Sequence, residues 1–243
     1  MAAGEGTRLR PLTERWPKAV LPIDGRPVIG TLLRELASAG VDLAVVVTGH
    51  LAEQVERLVE DGRAYGLGVR CTRQPGVLGS ADAVVRALGA GAAPPCLVVA
   101  ADTVFRAGDV RRFWDAFAAR DLAGAIAVRR DPPPGPGKPA VRMRSNGLIE
   151  RVVDDDPRNP LGSAPLWAIG REFVPYLNDL PGPPYELAAA AQRAVDAGAA
   201  IAAIEIGRTR DLTHPFDVIE RNFPYLTPFR RARALRSDRG GEG

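Results

Sequence analysis

Between residues 43 and 129, short apolar runs alternate with segments of helical periodicity, and this alternation restricts the fold more than any other feature. "LAVVVT" and "CLVVAAD" are continuous apolar runs of strand length, the pattern of parallel strands buried on both faces. "GVRCTR" and "AGAIAV" read as further strands. "AEQVERLVEDG", "SADAVVRALG" and "DVRRFWDAFAAR" read as the intervening helices. Ahead of them, "PVIGTLLRELASAG" places Val28, Ile29, Leu32, Leu33 and Leu36 on one helical face, with Pro27 and Gly40 at its ends. Such alternation predicts an α/β fold of three layers, αβα, around a doubly wound, mixed but mostly parallel sheet. Ligands of such sheets bind at the carboxyl ends of the strands.

The texture changes after residue 130. "RRDPPPGPGKP" is a proline-rich loop, and "AVRMR" and "GLIERVV" flank Ser145-Asn146-Gly147, a hairpin signal. "PLWAIG", helices near 171–180 and 185–197, the strand "AAIAAIEI" and a helix from about residue 215 complete the pattern. We expect one domain over residues 1–228, with halves meeting near residues 129 and 130. The basic tail at 229–243 is expected to be solvated and partly disordered. The net charge is only +3 and much of the excess sits in that tail, so the balance offers no case for a nucleic-acid partner. No apolar run approaches the ~18 residues of a transmembrane helix, and no basic-then-apolar segment opens the chain. The expectation is a soluble, cytoplasmic protein without a membrane partner. Cys71 and Cys96 lie far apart in apolar surroundings, as buried thiols do, although a disulfide stays open.

Four places could carry chemistry. In "AAGEGTRLRP", Gly4 and Gly6 allow a sharp turn whose successive N–H groups can cradle an anion, with Arg8 and Arg10 adding charge. The stretch is neither a Walker A loop nor a full dinucleotide fingerprint, since Leu9 stands where the third glycine would be. Of 32 basic residues only Lys18 and Lys138 are lysine; Lys18 lies between Pro17 and Pro22, which hold the stretch extended and aim the side chain. Asp102 ends the apolar run "LVVAAD", where a carboxylate faces the ligand crevice of an α/β sheet. Asp211 likewise follows an apolar strand. Together they would suit Mg²⁺, which takes one or two carboxylates with phosphate oxygens and water. Each of these also has a plainer reading as a surface turn, loop lysine or helix cap. His50 and His214 read as structural.

In order, "AAGEGTRLRPLT", "PKAVLPIDGRPVI", "RQPGVLGSADAV", "LVVAAD" and "RDLTHPFDVIERN" resemble the sugar-1-phosphate nucleotidyltransferases. The likeness runs from residue 1 to about 226 and implies their Rossmann-like fold. It implies a nucleotide-binding half over residues 1–129 and a sugar-phosphate-binding half over 130–228. It also implies the reaction: an NTP and a sugar 1-phosphate, such as glucose 1-phosphate, give an NDP-sugar and pyrophosphate with Mg²⁺. By this resemblance Ala3, Gly4, Gly6 and Thr7 line the nucleotide loop, Arg8 holds the triphosphate and Lys18 neutralises charge at the α-phosphorus. Gln74 and Gly79 read the base, and Asp102 and Asp211 hold the metal. The base segment looks closer to the thymidylyl and uridylyl members, which favours dTTP or UTP. Members often form homo-oligomers.

The sugar side departs from the pattern. Where members carry Glu-Lys-Pro, the chain has "VVDDDPRNP": Asp154 or Asp155 could replace the glutamate, but no lysine follows. Ser163-Ala164-Pro165 replaces Asn-Ala-Gly, and Lys138 is a candidate for the missing charge. These departures keep three alternatives open: a guanylyltransferase on mannose 1-phosphate, a cytidylyltransferase on a non-sugar phosphate, and a non-catalytic nucleotide-binding relative. In the family the glycine loop follows a short apolar strand, and Met1 falls where its last residue would be, so we expect the natural start to lie upstream.

Overall fold

The computed structural model describes residues 1–135 and 139–223, so Lys138 and the tail at 229–243 lie outside the described residues. The first half holds the short strands β1 (Pro22–Ile23) and β2 (Arg26–Pro27), α1 (Val28–Ser38), β3 (Leu43–Thr48), α2 (Ala52–Val59) and β4 (Gly68–Arg73). It continues with α3 (Ser80–Gly89), β5 (Cys96–Val99), β6 (Thr103–Val104), α4 (Asp109–Ala118) and β7 (Gly124–Arg129). The second half adds β8 (Ala140–Met143), β9 (Ile149–Asp154), β10 (Gly162–Ile169), α5 (Leu187–Asp196), β11 (Ile201–Glu205), β12 (Arg210–Asp211) and α6 (Pro215–Asn222). The helix expected near 171–180 is a 3-10 segment, Arg171–Leu177, with Pro175 inside it. Proline lacks the N–H that an α-helix would need there.

The sheet is mixed, but it is mostly antiparallel rather than mostly parallel. Parallel pairs join β3 to β4 and β7 to β11. β10, however, runs antiparallel to β7 along one edge, and to β5 and β8 along the other, and β8–β9 is an antiparallel hairpin. The physical reason lies in the connection. A parallel neighbour needs a crossover, usually a helix; between β7 and β10 the chain supplies only the β8–β9 hairpin.

Met1–Ala3 lies between β3 and β5 and bonds to both. Ala2 N–H donates to Val47 O (2.7 Å), Met1 N to Val99 O (2.8 Å) and Ala101 N–H to Met1 O (2.9 Å). The glycine loop therefore leaves from a strand position inside the sheet. Next to Met1 an apolar cleft of about 430 Å³ runs between β3 and β5, with Val45, Val47, Leu97 and Val98 in its walls.

β7 shows why three layers form. Ala125 and Ala127 face a core shared with α1, α2 and α4, whereas Ile126 and Val128 face one shared with α3 and α5. A strand covered on both faces must be apolar on both, which accounts for the unbroken run "GAIAV". Fully buried side chains such as Phe113 on α4 each stabilise by roughly 1.5–3 kcal/mol. Cys71 and Cys96 are free thiols, and burial pushes Cys96 up to about 11.

Candidate active site

The amino-terminal loop is shaped by Gly6, whose φ of 63° is left-handed and precedes a 3-10 turn over Thr7–Leu9. A left-handed residue followed by right-handed ones turns successive N–H groups toward one side, the geometry of an anion nest. The turn is pinned at Gly6 O, which accepts from Leu9 N–H (2.8 Å) and from Thr13 Oγ1 (2.9 Å). Leu9, the departure from a glycine fingerprint, is an anchor: it is buried with Leu21, Ile23, Val28, Val104 and Leu212. Ala3 forms the loop's stem, its carbonyl accepting from His50 N–H (3.2 Å). His50 Nε2 in turn meets Thr13 O at 2.6 Å, and His214 caps α6 in a capping box with Asp217. Both histidines thus have structural partners.

Lys18 does not lie in an extended stretch. Pro17 is extended, but Lys18–Val20 forms a 3-10 turn, which carries the side chain back to the loop. There Lys18 Nζ forms an ion pair with Asp102 Oδ2, both side chains part-buried. Asp102 Oδ1 accepts from Thr103 Oγ1 (3.2 Å). Thr103 is the register partner of Asp211 in the β6–β12 pair, and Asp102 and Asp211 border the same pocket. Arg210, beside Asp211, grips Asp24 at the tip of the β1–β2 turn (Nη1–Oδ1 2.8 Å). That pair ties β12 to the loop side of the site.

One pocket of about 420 Å³ is lined by Gly6, Thr7, Arg8, Lys18, Asp102 and Asp211. Ser163, Ala164, Pro165 and Trp167 of β10 and Arg129 of β7 also line it. The register of β10 against β7 shifts between Ser163 and Trp167; such an irregularity re-aims side chains, here at the pocket. Two carboxylates without sulfur or imidazole form an oxygen donor set that fits Mg²⁺. Among the described residues no cluster of three or more metal-binding side chains occurs, so phosphate oxygens and water would complete the shell.

Other expected residues lie elsewhere. Gln74 and Gly79 come together beside Thr48: Gln74 Nε2 donates to Gly79 O (2.9 Å) and to Asp82 Oδ2 (2.7 Å), but neither residue lines the pocket. Gly4 also stands off it. Asp154 and Asp155 are not brought to the pocket. Asp154 is bound by Arg142 (2.7 Å) and Asn159 (2.7 Å), and Asp155 borders a separate shallow hollow with Arg142 and Arg151. The acidic run thus finds its cations on the β8–β9 hairpin. Arg129 and Trp167 are among the pocket residues that were not anticipated. Arg129 had a usable signal, a charge ending a wholly apolar buried strand, as Asp102 does.

Among the described residues no helix is long and apolar enough to cross a membrane. The Nucleotidyl transferase family model matches residues 1–153. N-acetylmuramate alpha-1-phosphate uridylyltransferase of Neisseria meningitidis is 38% identical over 105 residues, 43% of this chain and 46% of that protein. UTP–glucose-1-phosphate uridylyltransferase of Synechocystis is 38% identical over 89 residues, 37% of this chain and 23% of that protein. The chain thus aligns with less than half the length of these curated relatives. A solved structure, UDP-glucose pyrophosphorylase from Acinetobacter baumanii, superposes with a TM-score of 0.75 at 19% identity over 96% of both chains, which establishes the fold. A sequence match that holds through the loop, Lys18 and Asp102, on a fold shared along almost the whole chain, places this protein in the nucleotidyl transferase family, alongside the sugar-1-phosphate nucleotidyltransferases.

Proposed function

We propose that the chain transfers a nucleotidyl group from UTP or dTTP to a sugar 1-phosphate, forming an NDP-sugar and pyrophosphate. The observation that carries this reading is the convergence of the Gly6–Arg8 loop, Lys18, Asp102 and Asp211 on one pocket that β10 also lines. A phosphate oxygen of the sugar phosphate attacks the α-phosphorus, and the bond to the β-phosphate breaks with its electron pair leaving on pyrophosphate. The nucleophile is already anionic, so no protein base is needed; the work is alignment and charge neutralisation. The loop N–H groups and Arg8 hold the β- and γ-phosphates. Lys18, released from Asp102 as substrate binds, follows the charge on the α-phosphate. Mg²⁺, held by Asp102 and Asp211, would supply further neutralisation of the triphosphate.

Gln74 supports the choice of base. Gln74 lies outside the lining of the pocket, and its amide nitrogen donates to Gly79 and Asp82, so its role toward a base that extends past the pocket would be that of an acceptor through the carbonyl oxygen. A carbonyl accepts from the N3–H of uracil or thymine, whereas cytosine presents an acceptor there. Trp167 offers an apolar face to the sugar. The test is pyrophosphate release from four NTPs against a panel of sugar 1-phosphates with Mg²⁺. We expect turnover with UTP or dTTP; release only with CTP or GTP, or with no sugar phosphate at all, would overturn the reading.

A further inference from the structure

The pocket must hold a triphosphate and a second phosphate, yet its loop side offers only Arg8, at the exposed mouth, and Lys18, paired with Asp102. The remaining cation among its described lining residues is Arg129, at the carboxyl end of β7. Its environment is unusual for an arginine. The residue is 2% exposed, and its Nη1 donates to the Ser163 carbonyl across the irregular part of β10. Its Nε, by contrast, has no hydrogen-bond partner. Asp211 and Asp131 favour its charge while burial opposes it. Leaving a buried charged donor without an acceptor is costly, so the group is poised for an anionic acceptor. Arginine presents parallel N–H groups that match a phosphate.

Position decides which phosphate. The Met1–Ala3 segment that leads into the Gly6–Arg8 loop bonds β5, β5 pairs with β10 and β10 with β7, so Arg129 at the end of β7, bonded to Ser163, stands on the far side of β10 from that segment while bordering the same pocket. The acidic run that stands where the resemblance would place the lysine is bound up elsewhere, with Asp154 held by Arg142 and Asn159. We propose that Arg129 is the residue that binds the phosphate of the sugar 1-phosphate, a role that rests on the transferase reading above. Its hold on Ser163 couples that phosphate to the strand that forms the sugar wall.

The experiment compares wild type with Arg129→Gln, Arg129→Lys and Lys138→Ala. UTP or dTTP is paired with glucose 1-phosphate, N-acetylglucosamine 1-phosphate or mannose 1-phosphate. Folding of each variant is checked by thermal melting. Arg129→Gln should raise the sugar-phosphate KM at least tenfold while the NTP KM stays within twofold, and Arg129→Lys should recover part of the loss. If the glutamine variant does not fold, the lysine variant carries the comparison. In the wild type, the Arg129 Nε–H resonance should also shift when the sugar 1-phosphate is added and not with the NTP alone. An unchanged sugar-phosphate KM, equal rises in both KM values, a stationary Nε–H resonance, or a rise seen only in Lys138→Ala overturns the assignment. A wild type inactive with every pair overturns the transferase reading, and this assignment with it; an active wild type with an unaffected Arg129→Gln overturns the assignment alone.

Discussion

The two walls of the pocket are built by different means. On the loop side, three of the charged residues follow a local feature by a few positions: Arg8 follows the Met1–Ala3 segment, Lys18 follows Pro17, and Asp102 follows β5. On the β10 side, placement depends on register: Ser163 and Trp167 line the pocket where β10 runs antiparallel to β7 and its pairing slips between them. Local placement concentrates chemistry in short motifs. Placement by register spreads it over strands that meet only in the folded sheet, where single side chains can be exchanged while the wall persists.

Substitutions can break this contrast. The largest effect is expected on the loop side: Lys18→Ala or Asp102→Asn should lower kcat by at least ~10²–10³-fold, whereas Ser163→Ala should change it little, because Ser163 is held through its backbone carbonyl. Comparable losses from Ser163→Ala in steady-state assays would erase the distinction. Next comes the seam between the halves. Gly79 has a φ of 94°, and a Cβ there would lie 2.3 Å from Tyr185 O, while Tyr185 bonds both Leu78 and Ala81. Gly79→Ala should destabilise by about 2 kcal/mol or more and lower Tm by about 4–8 °C; an unshifted melt would contradict a tight seam.

Asp154 should separate stability from catalysis. Asn159 and Arg142 hold its carboxyl below the usual aspartate range, against the opposing pull of burial. A lowered folded-state pKa stabilises the fold above the unfolded value and the benefit is lost as pH falls through the lowered one. Asp154→Asn should therefore melt below wild type at pH 7, with the gap closing below about pH 4, while kcat/KM stays within about twofold. A collapse of kcat/KM would return this residue to the site. The smallest effect is expected from Asp24→Asn, which loosens the exposed grip of Arg210 on the β1–β2 turn. Turnover should fall by only about twofold, in line with the small worth of exposed ion pairs, and less at high salt.

Much of the first half was legible because buried strands read as apolar runs and its helices have clear periods and ends. β3, β4, α3 and α4 lie where "LAVVVT", "GVRCTR", "SADAVVRALG" and "DVRRFWDAFAAR" predict them. Strand direction was not legible: "PLWAIG" contains nothing that says β10 runs against β5 and β7. The positions of Asp102 and Asp211 after apolar runs could be read, but that they border one pocket goes with the two-residue pairing of β6 with β12, too short to leave a pattern. The resemblance drew attention to Asp154 and Asp155, in the acidic run that stands where its members carry Glu-Lys-Pro, whereas a single arginine ending "GAIAV" did not. Charge runs are conspicuous in sequence; the burial that makes Arg129 unusual exists only once both faces of β7 are covered.

The most direct measurement is ³¹P NMR of the chain with Mg²⁺, UTP or dTTP, and a sugar 1-phosphate, run beside Asp102→Asn. The account predicts the paired resonances of a sugar-linked diphosphate rising together with free pyrophosphate in the wild type, and neither in the variant. Nucleotide hydrolysis without the diphosphate product, or an active Asp102→Asn, would contradict it.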